Sequence, residues 1–378
     1  MYLKGHNMAM DRIAIVGGGP GGLILARLLQ LRGLSPVVFE RDTHPEERPQ
    51  GGSLDLHSET GQCAMKQAGL ETEFAAASRP EDQGDRLYDI DGTLLFDCNE
   101  PTDNRPEIDR TVLRRILLDS LSPDTVRWGC RIAKVTSADK GFVIVGDERD
   151  EHFDVIVGAD GAWSYVRRLL DDAIPVYEGV TLVELGFDVE RHPAIDRLTG
   201  SGKMFAAGDN CALITQRNGH NHIRGYAGLR LTEDEAKQWQ TLSPEQVRLA
   251  LQKAFAGWAP MLTDIIETDE IIGVRPLYAL PVGYRWKSRE GLTLLGDAAH
   301  LMSPFSGEGV NLALTDAVDL AEALTSGGGW TAVTRCEEKI SARAATAAEG
   351  AARGLNGAFS SEGVTPLLEH YRARRLGN

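Results

Sequence analysis

Three glycines near the amino end have the spacing that a phosphate-binding turn requires. An apolar run ends at Val16 and is followed by Gly17, Gly19 and Gly22 in a G-x-G-x-x-G pattern. In such a turn the first glycine permits a tight bend, the second lets a pyrophosphate approach the backbone, and the third allows close helix packing. The phosphates would meet unpaired N–H groups at the start of the helix. Glu40 ends the next β-branched run, at the spacing where a carboxylate binds ribose hydroxyls.

Two further motifs place a carboxylate just beyond a strand that is predicted to be buried. Residues 155–158 lead to Asp160, where we predict a helix that carries Arg167, and a second apolar run ends at Asp297. Open α/β sheets bind ligands at the carboxyl ends of their strands, so both carboxylates are candidate ligand contacts. Another helix is predicted to begin near Gly309, and the N–H groups of its first turn would favour negative charge.

The remaining elements must hold these motifs at one edge of a sheet. Residues 86–96 alternate on both sides of an Asp-Gly pair, which predicts a hairpin. Residues 177–230 form short alternating runs, which predict an antiparallel sheet inserted into the α/β unit. Residues 330–355 have the composition of a long helix that could brace both parts. The predicted fold class is therefore α/β, with a Rossmann-like domain, an inserted antiparallel-sheet domain and a long C-terminal helix.

The composition limits the partners. The 378 residues include 40 Lys and Arg against 55 Asp and Glu, a net charge of −15. Because an acidic chain repels phosphate backbones and anionic lipids, we predict neither a nucleic-acid nor a membrane partner. Five scattered cysteines without a C-x-x-C pair predict reduced thiols and a cytoplasmic location. We predict no metal site, since metal-ligand spacing is lacking among the candidate histidines, His57, His220, His222 and His300.

The three motifs, in this order and spacing, resemble those of the class A flavoprotein aromatic monooxygenases. Within that family the chain is most similar to the tetracycline-inactivating monooxygenases, the tetracycline destructases, through segments such as 51–57 and 109–114. The resemblance implies FAD, with the pyrophosphate at Gly19 and the adenosine ribose at Glu40. The cofactor contacts that it implies, together with the motif residues above, are Gly17, Gly19, Gly22, Glu40, Arg41, Asp55, Arg114, Asp160, Asp297, Gly309, Val310 and Asn311.

One of these assignments reverses an expectation from spacing. Arg110 and Arg114 are four residues apart on a predicted helix, and such a pair ordinarily lies on a solvated flank. The resemblance instead assigns Arg114 to the cofactor. The expected domains are residues 1–73, 98–174 and 283–329 for FAD, residues 74–97 and 175–282 for substrate, and residues 330–378 as a C-terminal bracing helix.

The resemblance also implies an activity. Because only one nucleotide fingerprint is present, we expect NADPH as a transient reductant rather than a second resident nucleotide. The family hydroxylates electron-rich carbons with O2 through a C4a-hydroperoxyflavin. The expected substrate is therefore a polycyclic or phenolic small molecule, a class that includes tetracycline-like compounds. The expected substrate contacts are Glu184, Lys203, Arg224, Pro304 and Phe305. The first three differ from the tetracycline-inactivating enzymes, which disfavours tetracycline itself.

A second class of function remains open from the sequence. A flavin-containing protein could bind or sequester a ligand without transferring oxygen, and it would consume no NADPH when the ligand is added. The Asp160 motif, which the family uses with its reductant, favours the monooxygenase. A flavin reductase or halogenase is a weaker third option, and no Trp-x-Trp-x-x-Ile segment supports the halogenase. We expect a monomer.

Overall fold

A computed structural model describes residues 12–47, 51–99, 104–146, 149–268 and 270–375. The outermost residues of the first and last expected domains lie outside these ranges. The strands are β1 (Ile13–Val16), β2 (Val37–Phe39), β3 (Ser53–Asp55), β4 (Gly84–Tyr88), β5 (Leu94–Cys98), β6 (Glu107–Asp109), β7 (Val126–Arg127), β8 (Val135–Ser137), β9 (Phe142–Ile144), β10 (Glu151–Phe153), β11 (Val155–Gly158), β12 (Val176–Asp188), β13 (Gly202–Gly208), β14 (Cys211–Asn218), β15 (His222–Arg230), β16 (Glu270–Ala279) and β17 (Leu292–Leu294).

The α-helices follow the same chain order. They are α1 (Pro20–Leu31), α2 (Cys63–Gln67), α3 (Glu71–Ala77), α4 (Arg110–Asp119), α5 (Pro193–Thr199), α6 (Glu233–Trp239), α7 (Pro244–Ala254), α8 (Pro260–Thr263), α9 (Asp297–His300), α10 (Gly309–Thr325), α11 (Gly329–Ala358) and α12 (Thr365–Arg375).

A five-stranded sheet forms the centre of the nucleotide-binding part. Its order is β17-β11-β1-β2-β7, and each neighbouring pair is parallel. The central strands are short, apolar and fully buried, as expected for a sheet covered on both faces. Because the strands are parallel, the carboxyl ends of β1, β11 and β17 meet at one edge. The three sequence motifs therefore begin side by side.

A seven-stranded sheet lies beside it, in the order β16-β12-β15-β14-β13-β4-β5. The predicted hairpin is present as β4 and β5, with Gly92 at a φ of +80° in its turn. Along β12, Val183, Leu185 and Phe187 pack against the helices α5 to α8, whereas Leu182 packs against α11 and α12. This alternation gives the sheet an outer face for its own core and an inner face toward the nucleotide-binding part.

The architecture confirms the predicted fold class, and it differs from the prediction in two segments. After β11 no helix forms over residues 160–166, because the Asp160 carboxylate accepts hydrogen bonds from Ser164 Oγ and from the Tyr165 and Val166 N–H groups. The Asp160 side chain therefore stabilises a turn where a helix was predicted to begin. At the carboxyl end, the expected single helix is divided into α11 and α12, and α11 ends at Ala358.

We predict that, of the glycines in the first turn, Gly22 is needed for the stability of the protein and Gly19 for ligand binding. A Cβ at Gly22 would lie 2.2 Å from the Gly17 carbonyl oxygen, whereas a Cβ at Gly19 would meet nothing within 4 Å. Gly22→Ala should therefore destabilise the flavin-free protein by about 1–3 kcal/mol through overpacking. Urea unfolding measures the change. Gly19→Ala is the matched control, and an equal loss of stability in both variants would contradict the prediction.

Candidate functional site

The turn between β1 and α1 has the shape of a phosphate cradle. Gly17 has a φ of +112°, and a Cβ there would lie 2.2 Å from the Ala159 carbonyl oxygen, so only glycine fits. Gly19 is the N-cap of α1, provides no side-chain cap and borders open space. The N–H groups of the first turn of α1 therefore have no partner inside the helix and face a region that an anion can enter.

Two buried charged side chains support this turn from behind. The Glu40 carboxylate accepts hydrogen bonds from the N–H groups of Gly18 (2.7 Å) and Asp42 (3.0 Å). The Arg114 guanidinium donates to the Gly18 carbonyl oxygen (3.2 Å) and to the Pro45 carbonyl oxygen (2.5 Å). Each carboxylate oxygen has two acceptor sites, so Glu40 retains capacity for further donors such as ribose hydroxyls.

Arg114 is buried, and Arg110 on the same helix is exposed. The structure therefore separates the two arginines that the spacing had placed together. Arg114 also lies 3.8 Å from the Asp42 carboxylate and stacks over Trp128, so it holds the glycine turn rather than reaching solvent. Arg41 is exposed, and within the described part of the chain it makes no hydrogen bond to the turn.

Arg167 connects the second and third motifs. Its guanidinium is almost fully buried and donates to the carbonyl oxygens of Ala162 (2.6 Å) and Ala298 (3.0 Å). Burial lowers the pKa of Arg167, and the charge of Asp160 opposes that shift. Because every one of these acceptors is protein backbone, Arg167 fixes the Asp160 turn against the Asp297 turn. It is a positioning residue in this conformation.

The Asp297 carboxylate is exposed at the carboxyl end of β17. Among the described residues it makes no hydrogen bond or ion pair, so it remains free to accept ligand hydroxyls. The backbone behind it is fixed, because the Gly296 N–H donates to the buried Asp316 carboxylate (3.1 Å). Asp316 also pairs with His300 (2.5 Å) and with Arg343 (2.8 Å), which ties α9, α10 and α11 together.

Asn311 fixes the loop in front of α10. Its fully buried amide oxygen accepts from the His57 N–H (2.9 Å), and its amide nitrogen donates to the carbonyl oxygens of Asp55 (2.9 Å) and Gly307 (3.3 Å). The side chain is thus occupied within the protein. Its backbone N–H, with those of Gly309 and Val310, belongs to the first turn of α10 and has no acceptor inside the helix.

Asp55 stands at this junction with its charge stabilised. Burial opposes its ionisation, but the hydrogen bond to His57 (3.3 Å) and the charge of Lys203 outweigh it and lower the pKa of Asp55 to about 2. The second nitrogen of the His57 ring lies 3.6 Å from the Glu308 carboxylate. The imidazole therefore sits between two carboxylates at the start of α10.

A second cluster of charges joins the two parts of the protein on the inner face of the seven-stranded sheet. Lys203 on β13 lies 3.6 Å from the Asp85 carboxylate, and the charges of Asp85 and Asp55 raise the pKa of Lys203. Glu107 on β6 accepts hydrogen bonds from Ser53 (2.6 Å) and Gln216 (3.1 Å). Burial raises the pKa of Glu107 to about 7, and nearby Asp55 adds to the shift.

Glu184 lies farther along the inner face. Its carboxylate lies between two arginines, Arg224 at 3.4 Å and Arg275 at 3.1 Å. Tyr226, two residues beyond Arg224 on β15, faces the same side, and a Cβ at Gly52 would lie 3.0 Å from its hydroxyl. Similarly, a Cβ at Gly51 would lie 2.9 Å from Glu184. The Gly51-Gly52 turn can therefore pass close to this face only because it has no side chains.

Phe305 forms the apolar side of the same space. Its ring lies 6.4 Å from that of Phe205 on β13 and 5.5 Å from that of Phe359 beyond α11. A Cβ at Gly354 would lie 2.5 Å from the Phe305 carbonyl oxygen, so α11 supports the loop closely. Pro304 precedes it in the same short turn and is exposed.

The sequence therefore placed most candidate residues in one region, and it missed several others. Glu184, Lys203 and Arg224 share the inner face, and Phe305 faces it. Tyr226, Glu107 and the pairing of His57 were not anticipated. Period-two alternation from Arg224 could have indicated Tyr226. Glu107 left no local signal, because its partners Ser53 and Gln216 are separated from it by 54 and 109 positions in the sequence. Among the described residues no group of His, Cys, Asp and Glu could hold a metal ion.

No helix in the described ranges is sufficiently long and apolar to cross a membrane.

The fold and the cradle define a nucleotide-binding α/β protein, and comparison with known proteins identifies its class. Residues 11–351 match the model of an FAD binding domain family. Monooxygenase asqM of Emericella nidulans is 33% identical over 371 residues, which cover 83% of each chain. The chain therefore belongs to this FAD-binding family, and it is an FAD-dependent monooxygenase.

Solved structures share the fold at low identity. HpxO of Klebsiella pneumoniae, in complex with FAD and uric acid, has a TM-score of 0.80 at 18% identity and covers 99% of this chain and 94% of its own. Tetracycline destructase Tet(55) has a TM-score of 0.77 at 19% identity and covers 98% and 96%. Because HpxO matches the fold at least as well as the tetracycline destructase does, a special similarity to the tetracycline-inactivating enzymes stays a prediction.

The described residues fit FAD. Only glycine can occupy position 17, and open space adjoins Gly19 where a pyrophosphate would need to approach the backbone. Glu40 has spare acceptor capacity, Asp297 is a free carboxylate, and the first turn of α10 offers unpaired donors. The cradle thus supplies donors for phosphate and acceptors for hydroxyls, as a dinucleotide requires.

We expect Asp297→Ala to weaken FAD retention roughly 10- to 100-fold, because a carboxylate that accepts ligand hydroxyls is lost. The measurement is the flavin to protein absorbance ratio after gel filtration, together with the Kd of FAD for the stripped protein. Glu290→Ala is the control, since Glu290 is an exposed carboxylate in the loop before β17. Equal flavin content in both variants would count against this role of Asp297.

Stability should depend on pH through Glu107. Its pKa is raised from 4.5 to about 7, so its contribution is complete below about pH 4.5 and is lost as the pH rises through 7. Glu107→Gln keeps an acceptor for Ser53 and Gln216 and cannot ionise. At pH 8 it should be more stable than the parent by up to about 3 kcal/mol, and at pH 4.5 the two should agree. Urea unfolding at both pH values measures this, with exposed Glu71→Gln as control; a pH-independent difference refutes it.

Proposed function

We propose that this monooxygenase hydroxylates a polycyclic or phenolic small molecule with O2, and that NADPH reduces its FAD. The proposal is carried by one observation. Three cofactor motifs converge at one sheet edge, and that edge faces a sheet surface lined with aromatic and cationic side chains. Such a surface suits a planar, electron-rich substrate that carries an ionisable hydroxyl.

The residues at the sheet edge would hold FAD, and residues 1–73, 98–174 and 283–329 would form its domain. Gly17, Gly19 and Gly22 would admit the pyrophosphate, and Glu40 the ribose, while Arg114 holds the turn. Bound FAD supplies hydride acceptance from nicotinamide and the activation of O2. The protein contributes the donors at the start of α10, which favour negative charge on a ligand.

The inner face would bind the substrate, and residues 74–97 and 175–282 would form the second domain. Arg224 is well placed, because its Nε is buried and has no hydrogen-bond partner in the described part of the chain. Such a donor favours a ligand acceptor, and an ionised hydroxyl is the strongest candidate. Lys203, whose pKa is raised by Asp85, stays protonated and adds positive charge. Ionising a phenol or enol raises electron density at the adjacent carbon, the position that would receive oxygen.

The apolar side of the space would exclude water. Phe305 is held between Phe205 and Phe359, and α11 presses on its backbone through Gly354. Exclusion of water prevents the reactive oxygen from being lost before it reaches the substrate. Residues 330–378 would therefore brace the site as well as the two domains.

The reductant is proposed to act near Asp160. Only one glycine fingerprint is present in the sequence, so NADPH would bind transiently rather than in a domain of its own. The turn that would meet it is rigid, because Asp160 accepts three hydrogen bonds within it and Arg167 fixes it to the Asp297 turn. Tetracycline-like polyketides remain in the proposed substrate class, together with simpler phenols.

The test is a screen for stimulated NADPH oxidation by purified holoenzyme with tetracyclines, anthraquinones and simple phenols. We expect at least one compound to raise the rate about tenfold or more, because substrate binding should favour reduction in this class. Mass spectrometry under ¹⁸O2 should then show one heavy atom in the product. Labelled water is the control and should leave no label. Product without label from ¹⁸O2 would refute hydroxylation by molecular oxygen.

A further inference from the structure

Glu308 occupies the N-cap position of α10, and its carboxylate does not cap the helix. It is turned instead toward His57, with Oε1 3.6 Å from the ring Nδ1. The other ring nitrogen lies 3.3 Å from the Asp55 carboxylate. The His57 side chain is about nine-tenths buried, and the Glu308 side chain is 31% exposed. A carboxylate and an imidazole thus form a matched pair directly in front of a helix N-terminus.

The position matters because the first turn of α10 stabilises negative charge. Its N–H groups have no partner inside the helix, and a Cβ at Gly309 would meet nothing within 4 Å. A ligand that becomes anionic there gains from the helix dipole, and a fixed carboxylate at the same point opposes that gain. Glu308 is such a carboxylate. The imidazole of His57, whose Nδ1 lies 3.6 Å from that carboxylate, can offset part of its effect.

Other charges face the pair from neighbouring elements. Asp55 on β3 is ionised, since its pKa is lowered to about 2 despite the opposing effect of burial. Lys203 on β13 pairs with Asp85 and acts on both Asp55 and Glu107. These groups neutralise one another in part across the interface of the two sheets. Glu308 and His57 remain as the pair whose charge adjoins the start of α10.

We propose that Glu308 and His57 together set the reduction potential of bound FAD, with Glu308 lowering it and His57 raising it. The proposal rests on the proposed function, in which the donors at the start of α10 favour negative charge on the bound ligand, and it takes that part of the ligand to be the flavin ring. Reduction adds two electrons and, when one proton is taken up, leaves one negative charge on the ring. That charge is opposed by the Glu308 carboxylate, and the His57 ring beside the carboxylate offsets part of the opposition.

The test is the midpoint potential of purified holoenzyme, measured by reduction against a reference dye at pH 7. Glu308→Gln should raise the equilibrium constant for reduction about tenfold, as expected for one charge at a helix N-terminus. For a two-electron couple this equals about 30 mV. His57→Asn keeps the backbone bond to Asn311 and should shift the potential in the opposite direction. The double variant should return close to the parent value.

Glu322→Gln is the matched control, because Glu322 is an exposed carboxylate near the other end of α10. It removes the same charge and should leave the potential unchanged. An unchanged potential in Glu308→Gln, with full flavin content, would overturn the inference and leave the proposed function intact. Equal shifts in Glu308→Gln and Glu322→Gln would also overturn it, since the effect would then be non-local. Failure of the FAD placement itself would be seen separately, as full flavin retention by Asp297→Ala.

Discussion

The structure depends on how closely its backbone segments approach at the carboxyl edge of the parallel sheet. A Cβ at Gly17 would contact the Ala159 carbonyl oxygen, and a Cβ at Gly21 would lie 2.7 Å from Leu295. The ends of β1, β11 and β17 can be adjacent only because side chains are missing at these points. Three ligand-binding turns thereby share one edge. A bulky residue at any of these glycines would separate groups that must act on the same ligand.

The close approach of these segments also buries charged side chains, and the protein stabilises them by placing opposite charges nearby. Asp55 remains ionised because His57 and Lys203 outweigh its desolvation. For Glu107 the charge of Lys203 and the hydrogen bonds from Ser53 and Gln216 do not outweigh burial, so its pKa is raised to about 7, and the charge of Asp55 adds to the shift. Two carboxylates opposite each other on β3 and β6 thus have very different acidities. Their environments differ in the charges that each can reach, and burial alone does not explain the contrast.

The sequence was sufficient wherever a feature depends on the backbone or on local periodicity. The turn after β1 requires a positive φ at Gly17, the hairpin of β4 and β5 requires a turn such as Asp91-Gly92, and β12 alternates with period two. Each of these features depends on residues that are close together in the sequence. Asp109 shows the limit of such local reasoning. It occupies the N-cap position of α4, yet its carboxylate accepts from the distant Gly219 N–H and does not cap the helix.

Tertiary contacts decide the remaining features, because they join residues that are far apart in the chain. Arg114 illustrates such a long-range contact, whereas Asp160 shows that a local side-chain contact can also override a helical pattern. The Asp160 side chain captures the N–H groups that would have begun a helix, so a pattern that looks helical forms a turn. Arg114 was separable from Arg110 only by the resemblance, since both lie on one helix and burial depends on what packs against each.

The seven-stranded sheet separates the residues of its core from those of the proposed substrate-binding face. On β12, Val183 and Leu185 pack into the outer core, while Glu184 between them projects to the inner face. Because adjacent residues serve different faces, the inner face can change without disturbing the core. The limit is set by burial. Glu184 is held by Arg224 and Arg275, so replacing one charge would leave another without its partner. Substrate preference should therefore change through concerted substitutions on β12, β15 and β16 rather than through single ones.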